Sequence, residues 1–263
     1  CFDPSVLALL NIEKMRLLPV VKQLPTPQEL NRFLGTMKLK LYPYQLAGVR
    51  KFFQMGRLLL ADEMGLGKTA QAISVCHVLS KSNAIKRGLV VVPAPLKNQW
   101  KREWESFSDI PVQIVEGSPE ERRDYYKKTR KGLIIVNYEQ LLRDFEELLQ
   151  WQPDLMVLDE AQRIKNWQTK TASSIKMFNP PFRLVLTGTP MENRLEELAS
   201  LFDWVDGFAM EPKWRLLPFH SQYGDGTSDP NIVGIRNLDT LRKRIAHCTL
   251  RRHRKEVLSE LPK

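Results

Sequence analysis

The sequence predicts an α/β fold, a mostly parallel sheet flanked by helices with a small helical C-terminal subdomain. Two observations predict it. First, short apolar runs recur from residue 57 onward: "RLLLA" (57–61), "GLVVVP" (88–93), "VQIVEG" (112–117), "GLIIVNY" (132–138), "LMVLDE" (155–160) and "RLVLTGTP" (183–190). They are continuous rather than alternating, as strands covered on both faces must be. Second, amphipathic stretches long enough to be helices separate most of these runs, which is the pattern of a parallel sheet with helical crossovers. In such folds ligands bind beyond the carboxyl ends of the strands, so the residues that end each run are the ones to inspect.

Residues 1–40 form a lead-in, within which "LPTPQEL" carries a Pro-Thr-Pro start signal for a short helix. Residues 41–205 hold all six apolar runs and form the main lobe. The segment 206–263 differs in texture. There "FHSQYGDGTSDPNIVG" (219–234) predicts an exposed loop and "NLDTLRKRIAHCTLRRHRKEVL" (237–258) predicts basic helical segments.

At 263 residues, with 43% hydrophobic and 27% charged residues, the chain can bury a sizeable core. No apolar run approaches the roughly 18 residues of a membrane span, and the N-terminus lacks the basic start and apolar centre of a signal peptide, so an intracellular protein with no membrane partner is expected. Cys1, Cys76 and Cys248 lie far apart with no CxxC pair, which argues against a disulfide framework and a zinc site. The four histidines, His77, His220, His247 and His253, show no ligand spacing and are assigned to surface or packing roles. Forty Lys and Arg against thirty Asp and Glu give a net charge of +10, which suits a polyanionic partner such as nucleic acid.

After the first run comes "DEMGLGKTAQAI" (62–73), a phosphate-binding loop leading into a helix. Gly65 and Gly67 permit backbone conformations that aim N–H groups at phosphate oxygens, and the helix that starts near Lys68 adds its positive end. Lys68 is placed to bridge β- and γ-phosphates and Thr69 to bring its hydroxyl to Mg²⁺. The strict GxxxxGK[ST] pattern fails at its first position, which holds Asp62. Leu66 and Ala70 complete the nucleotide-binding segment. The fifth run ends in Asp159 and Glu160. A hard Mg²⁺ ion takes oxygen ligands, which assigns Asp159 to the metal, while Glu160 is placed to orient and deprotonate an attacking water.

Seven segments in order, "LYPYQLAGVRKF", "ADEMGLGKTAQAI", "VVVPAPLKNQWKREW", "IIVNYEQL", "VLDEAQRIKN", "LVLTGTPMENRLEELASLFDWV" and "LRRHRKEVLSELPK", resemble the first motor lobe of Snf2-family ATPases, which are superfamily 2 helicase-like proteins. The resemblance covers residues 41 to 263. It implies a RecA-like P-loop NTPase lobe that uses ATP and Mg²⁺ and works on double-stranded DNA as a monomeric translocase, displacing or remodelling DNA-bound proteins or DNA structures. Gln45 matches the glutamine that reads adenine, and Lys68, Thr69, Asp159 and Glu160 match the phosphate, magnesium and catalytic positions. Pro93, Lys97, Asn98 and Trp100 fall in one segment that contacts the nucleic-acid backbone in the family, Asn137 and Tyr138 in the next, and Thr189 lies in the "TGTP" motif that links nucleotide state to lobe movement. For Trp100 the helical spacing to Trp104 also predicts core packing. The basic run Arg251, Arg252, Arg254 and Lys255 matches the stretch that closes the first lobe, where it serves either as DNA contact or as a solvated helix end.

The resemblance also implies a second lobe beyond "LPK", with an arginine whose loss costs about 10³ to 10⁵ in rate, so the residues given should bind ATP but turn it over poorly. Alternative readings are a regulatory half-motor that binds nucleotide and DNA without moving, and a strand-separating superfamily 2 helicase. Gln162, assigned to the catalytic set, stands where eukaryotic remodellers usually have histidine and prokaryotic relatives often have glutamine. This points to a bacterial or archaeal origin, with a location in the cytoplasm or nucleoid if the source is prokaryotic and in the nucleus if it is eukaryotic. Both side chains donate and accept hydrogen bonds, but only histidine becomes cationic near neutral pH.

Overall fold

The computed structural model describes residues 20–161, 169–188, 195–207, 209, 219, 221–223 and 232–260. Gln162 and Thr189 lie outside the described residues.

All six apolar runs form strands: β1 (Arg57–Leu60), β2 (Arg87–Val92), β3 (Val112–Ile114), β4 (Gly132–Asn137), β5 (Leu155–Leu158) and β6 (Phe182–Leu186). Together with a two-residue strand β9 (Thr249–Leu250) they make a seven-stranded sheet in the order β3-β4-β2-β5-β6-β1-β9. Every neighbouring pair is parallel. The sheet separates two cores. Leu59, Val91, Val136, Met156 and Val185 face one side, and Leu58, Val90, Ile135, Val157 and Leu184 face the other. Side chains alternate across a strand, so a run that is apolar at every position needs cover on both faces. Each such Leu, Ile or Val, when fully buried, contributes about 1.5–3 kcal/mol.

One cover consists of α1 (Pro27–Leu34), α2 (Pro43–Met55), α3 (Lys68–Lys81) and α4 (Lys97–Phe107); the other includes α6 (Tyr138–Arg143), α7 (Phe145–Trp151), α8 (Lys170–Met177) and α9 (Leu195–Val205), while α5 (Pro119–Lys128) packs beside α7. The Pro-Thr-Pro signal starts α1: the Thr26 hydroxyl accepts from the Glu29 amide while the Glu29 carboxylate accepts from the Thr26 amide, closing a capping box. Helix α3 is enclosed between the sheet and its neighbours, so it is buried almost all round from Ala70 to Leu79 and has no polar face. Its buried polar residues are satisfied. His77 Nδ1 meets the Ser108 hydroxyl at 2.8 Å and Nε2 meets the Thr36 hydroxyl at 2.9 Å, and burial lowers the imidazole pKa against the opposing charge of Asp109.

One expectation for the C-terminal segment is corrected and another is refined. Within the loop expected at 219–234, β7 (Ser221–Tyr223) pairs antiparallel with β8 (Ile232–Ile235). The ladder is three residues on one side, too short to leave a period-2 signal among turn residues. The basic stretch forms two helical segments as expected, α10 (Leu238–Ile245) and a 3₁₀ helix over Arg254–Glu260, but between them Thr249 and Leu250 join the main sheet beside Leu59 and Leu60 as β9. Cys76 and Cys248 are free and buried. Among the described residues no helix is long and apolar enough to cross a membrane.

Candidate active site

Strand order puts the three chemical loops side by side. β5, β6 and β1 are adjacent, so "DE" after β5, "TG" after β6 and the glycine loop after β1 emerge from neighbouring carboxyl ends of one sheet. Gly65 and Gly67 both adopt left-handed backbone conformations, φ +84° and +68°. A Cβ at Gly67 would sit 2.3 Å from Gln45 Nε2, so the Gln45 amide would have to move and the positive φ would strain any side chain there, while the space around Gly65 is open. Gly67 caps α3, whose first-turn amides have no partners within the helix and point out of its N-terminus. The Lys68 ammonium donates to the carbonyls of Asp62 at 2.8 Å and Glu63 at 3.4 Å. Burial lowers its pKa, against the opposing pull of the Asp62, Glu160 and Asp159 charges. Gly188 closes the other side, its would-be Cβ 3.8 Å from Lys68 Nζ.

Asp159 is buried and held from both faces of the sheet. The Trp100 indole N–H of α4 donates to its Oδ2 at 2.7 Å, and the Tyr138 hydroxyl of α6 donates to its carbonyl at 2.6 Å. Its Oδ1 accepts from the Glu160 amide at 2.9 Å. Burial raises the Asp159 pKa, and these two hydrogen bonds to its carboxylate oppose that shift. Glu160 has φ +50°, a left-handed conformation that costs a non-glycine residue about 1–2 kcal/mol. Backbone of this kind gathers at functional sites, where surrounding contacts impose it.

The donor set therefore fits a magnesium-bound nucleoside triphosphate: an ammonium, helix N-terminal amides and the Thr69 hydroxyl on one strand end, a buried carboxylate two strands away. Several of the assigned residues are engaged within the chain itself. Asp62, expected to bind nucleotide, is fully buried and its carboxylate is spent on Arg252 and on Gln71 Nε2 at 3.1 Å. Leu66 and Ala70 turn their side chains inward, which leaves their backbone as the part that faces the loop. Gln45 is 6% exposed; its Oε1 accepts from the Tyr42 amide and its Nε2 reaches the Leu66 carbonyl, so it ties α2 to the loop.

Of the candidate DNA contacts, Trp100 and Tyr138 are each 2% exposed and cannot present a side chain to DNA; they hold Asp159 instead. Asn137 spends its Oδ1 capping α6 through the Gln140 amide, and Lys97 pairs with Glu116 at 3.1 Å. Asn98 is exposed. These positions do share one edge, at the carboxyl ends of the adjacent strands β2 and β4. The positioning contacts of Trp100, Tyr138, Gln71 and Arg252 were not legible in sequence, because their partners lie 59, 21, 9 and 190 residues away.

The site's architecture has relatives. A family model described as the SNF2-related domain matches residues 20–263. The chain belongs to that family. This Snf2-related lobe is 33% identical over 241 residues to the chromodomain-helicase-DNA-binding protein 1-like of Danio rerio, covering 88% of this chain and 23% of that protein. An uncharacterized ATP-dependent helicase of Mycoplasma genitalium is 34% identical over 207 residues, 78% of this chain and 19% of that one. Among solved structures, the Sulfolobus solfataricus SWI2/SNF2 ATPase core in complex with dsDNA superposes with a TM-score of 0.73 at 29% identity, covering 86% of this chain and 47% of that one. The chain thus spans less than a quarter of these curated relatives and about half of the archaeal core. Eukaryotic, bacterial and archaeal proteins all match, so the likeness does not divide along the lineage that Gln162 suggested.

One further cluster lies away from this edge. Asp206, His247 and Cys248 bring potential metal ligands together. His247 Nε2 already meets Asp206 Oδ2 at 2.8 Å, a contact that engages both atoms as an ion pair and raises the imidazole to about 10.

Proposed function

We propose that this chain is the ATP-binding lobe of a DNA-dependent ATPase that translocates along duplex DNA and remodels what is bound to it. The observation that supports the reading best is the convergence of Lys68, Asp159 and Glu160 at the carboxyl ends of β1 and β5, two apart in the sheet, with Asp159 anchored from both faces of the sheet. In this reading Lys68 and the α3 amides bind the β- and γ-phosphates, and Thr69 and Asp159 hold Mg²⁺, which when bound supplies positive charge to the phosphate oxygens. Glu160 accepts the proton of the attacking water. Trp100 keeps the Asp159 carboxylate aimed, and Tyr138 holds its main-chain carbonyl. Turnover requires a second lobe that supplies the arginine acting on the transferring group.

The duplex partner is supported by the archaeal ATPase core, solved with double-stranded DNA, and by the net charge of +10. In the intact protein, Lys68→Ala and Glu160→Gln should each lower duplex-stimulated ATP hydrolysis by about a hundredfold or more, since a general base alone is worth about 10² to 10⁴. Wild-type turnover in either variant would remove the assignment. A forked duplex distinguishes the motor classes: a translocase leaves the strands paired, whereas strand separation would favour the helicase reading.

A further inference from the structure

The C-terminal "LRRHRKEVLSE" (250–260) runs back across the phosphate loop. The Glu63 amide donates to the Arg252 carbonyl at 3.0 Å, and the Arg254 amide donates to the Glu63 carboxylate at 2.6 Å. Val257 packs with Leu66 and Tyr44, while Glu260 accepts from the Tyr44 amide at 2.7 Å. At the centre is Arg252. Its Nε donates to Asp62 Oδ1 at 2.9 Å, its Nη2 donates to Asp62 Oδ2 and to Gln71 Oε1, and its Nη1 donates to the Tyr44 carbonyl. Asp62 is fully buried and the Arg252 side chain is 12% exposed.

Asp62 opens the loop where the strict phosphate-loop pattern has glycine, so a carboxylate begins the segment that must receive a polyanion. Asp62 also interacts electrostatically with Lys68. A buried carboxylate without a partner would repel phosphate charge through a low-dielectric interior, where screening is weak. A bidentate guanidinium removes that repulsion and fixes the carboxylate's direction.

We propose that Arg252 is a positioning residue for nucleotide binding: it neutralises Asp62 beneath the phosphate loop and straps the loop's first two residues to the C-terminal segment. The inference rests on the reading of this loop as a triphosphate site. Because the effect is electrostatic, loss of Arg252 weakens ligands in order of their phosphate charge, whereas mere loosening of the fold would weaken all of them alike.

The experiment measures the affinities of ATP, ADP and adenosine for the intact protein by calorimetry, with melting temperature as a folding control. It compares wild type, Arg252→Gln, Asp62→Asn and the double variant. Arg252→Gln should weaken ATP by about tenfold or more, about 1.4 kcal/mol, ADP by less and adenosine least. The double variant, with the buried charge gone, should fold and bind ATP within about threefold of wild type, an energy difference under about 0.7 kcal/mol. Should Arg252→Gln fail to fold, the double variant still decides, because a folded double variant that does not bind ATP overturns the proposal. Unchanged ATP affinity in Arg252→Gln, or an equal loss for all three ligands, overturns it too. Failure of the wild-type protein to bind ATP would instead remove the nucleotide reading beneath it.

Discussion

Trp100 shows how one residue can satisfy a packing rule and a chemical one together. Its spacing to Trp104 puts both indoles on the buried face of α4, as helical periodicity demands, and both are buried. A buried indole N–H also needs an acceptor, and Trp104 finds the Ile110 carbonyl while Trp100 finds the Asp159 carboxylate. That second bond determines where the proposed metal ligand points. Partners that orient a ligand in this way typically change metal affinity or activity by about 10- to 100-fold when removed, so Trp100→Phe should raise the Mg²⁺ concentration needed for half-maximal ATP hydrolysis by about tenfold. Titrating MgCl₂ at fixed ATP measures this, and an unchanged midpoint would make Trp100 a packing residue alone.

Elements announced themselves in the sequence in proportion to how much of their environment was local. Of the six strands read from apolar runs, the buried ones were legible because burial on both faces writes itself into consecutive residues, and α1 was legible because its capping box spans four neighbours. The short β9 was not, since two residues carry no period and their partner strand lies some 190 positions earlier. The Lys68, Asp159 and Glu160 set could be read from motifs, whereas Arg252 looked like one charge in a basic run. The join between α9 and α10 is of the same hidden kind: Asp206, 1% exposed, pairs with His247. The imidazole pKa is raised from 6.5 to about 10, first by the hydrogen bond to Asp206. A raised folded-state value means that the pair stabilises fully below about pH 6.5 and that this contribution is lost as pH rises through about 10. His247 is 37% exposed, so solvent screens part of the effect. The melting temperature of wild type should therefore fall more between pH 7 and pH 10 than that of His247→Gln. Superimposable pH profiles for the two proteins would show that the pair contributes nothing.

At the scale of the whole molecule, the parallel sheet assembles residues that are far apart in sequence along one edge. β1, β6 and β5 deliver the proposed nucleotide groups, and β2 and β4 deliver the Lys97, Asn98 and Asn137 segments beside them. Binding of phosphates at the first three and of a DNA backbone at the next two would place both polyanions on the same rim of a chain with net charge +10. Backbone contact needs only charge and donors, not base edges, so this architecture predicts affinity without sequence preference. Each phosphate neutralised releases counterions from the duplex. About six such contacts would lower affinity roughly a thousandfold between about 50 and 200 mM salt, with equal slopes for unrelated duplex sequences. Fluorescence anisotropy on two duplexes of different sequence, across that salt range in the intact protein, measures both properties at once. A flat salt response would dismiss the charged edge as a DNA surface. Steep but sequence-dependent binding would mean that base edges are read as well.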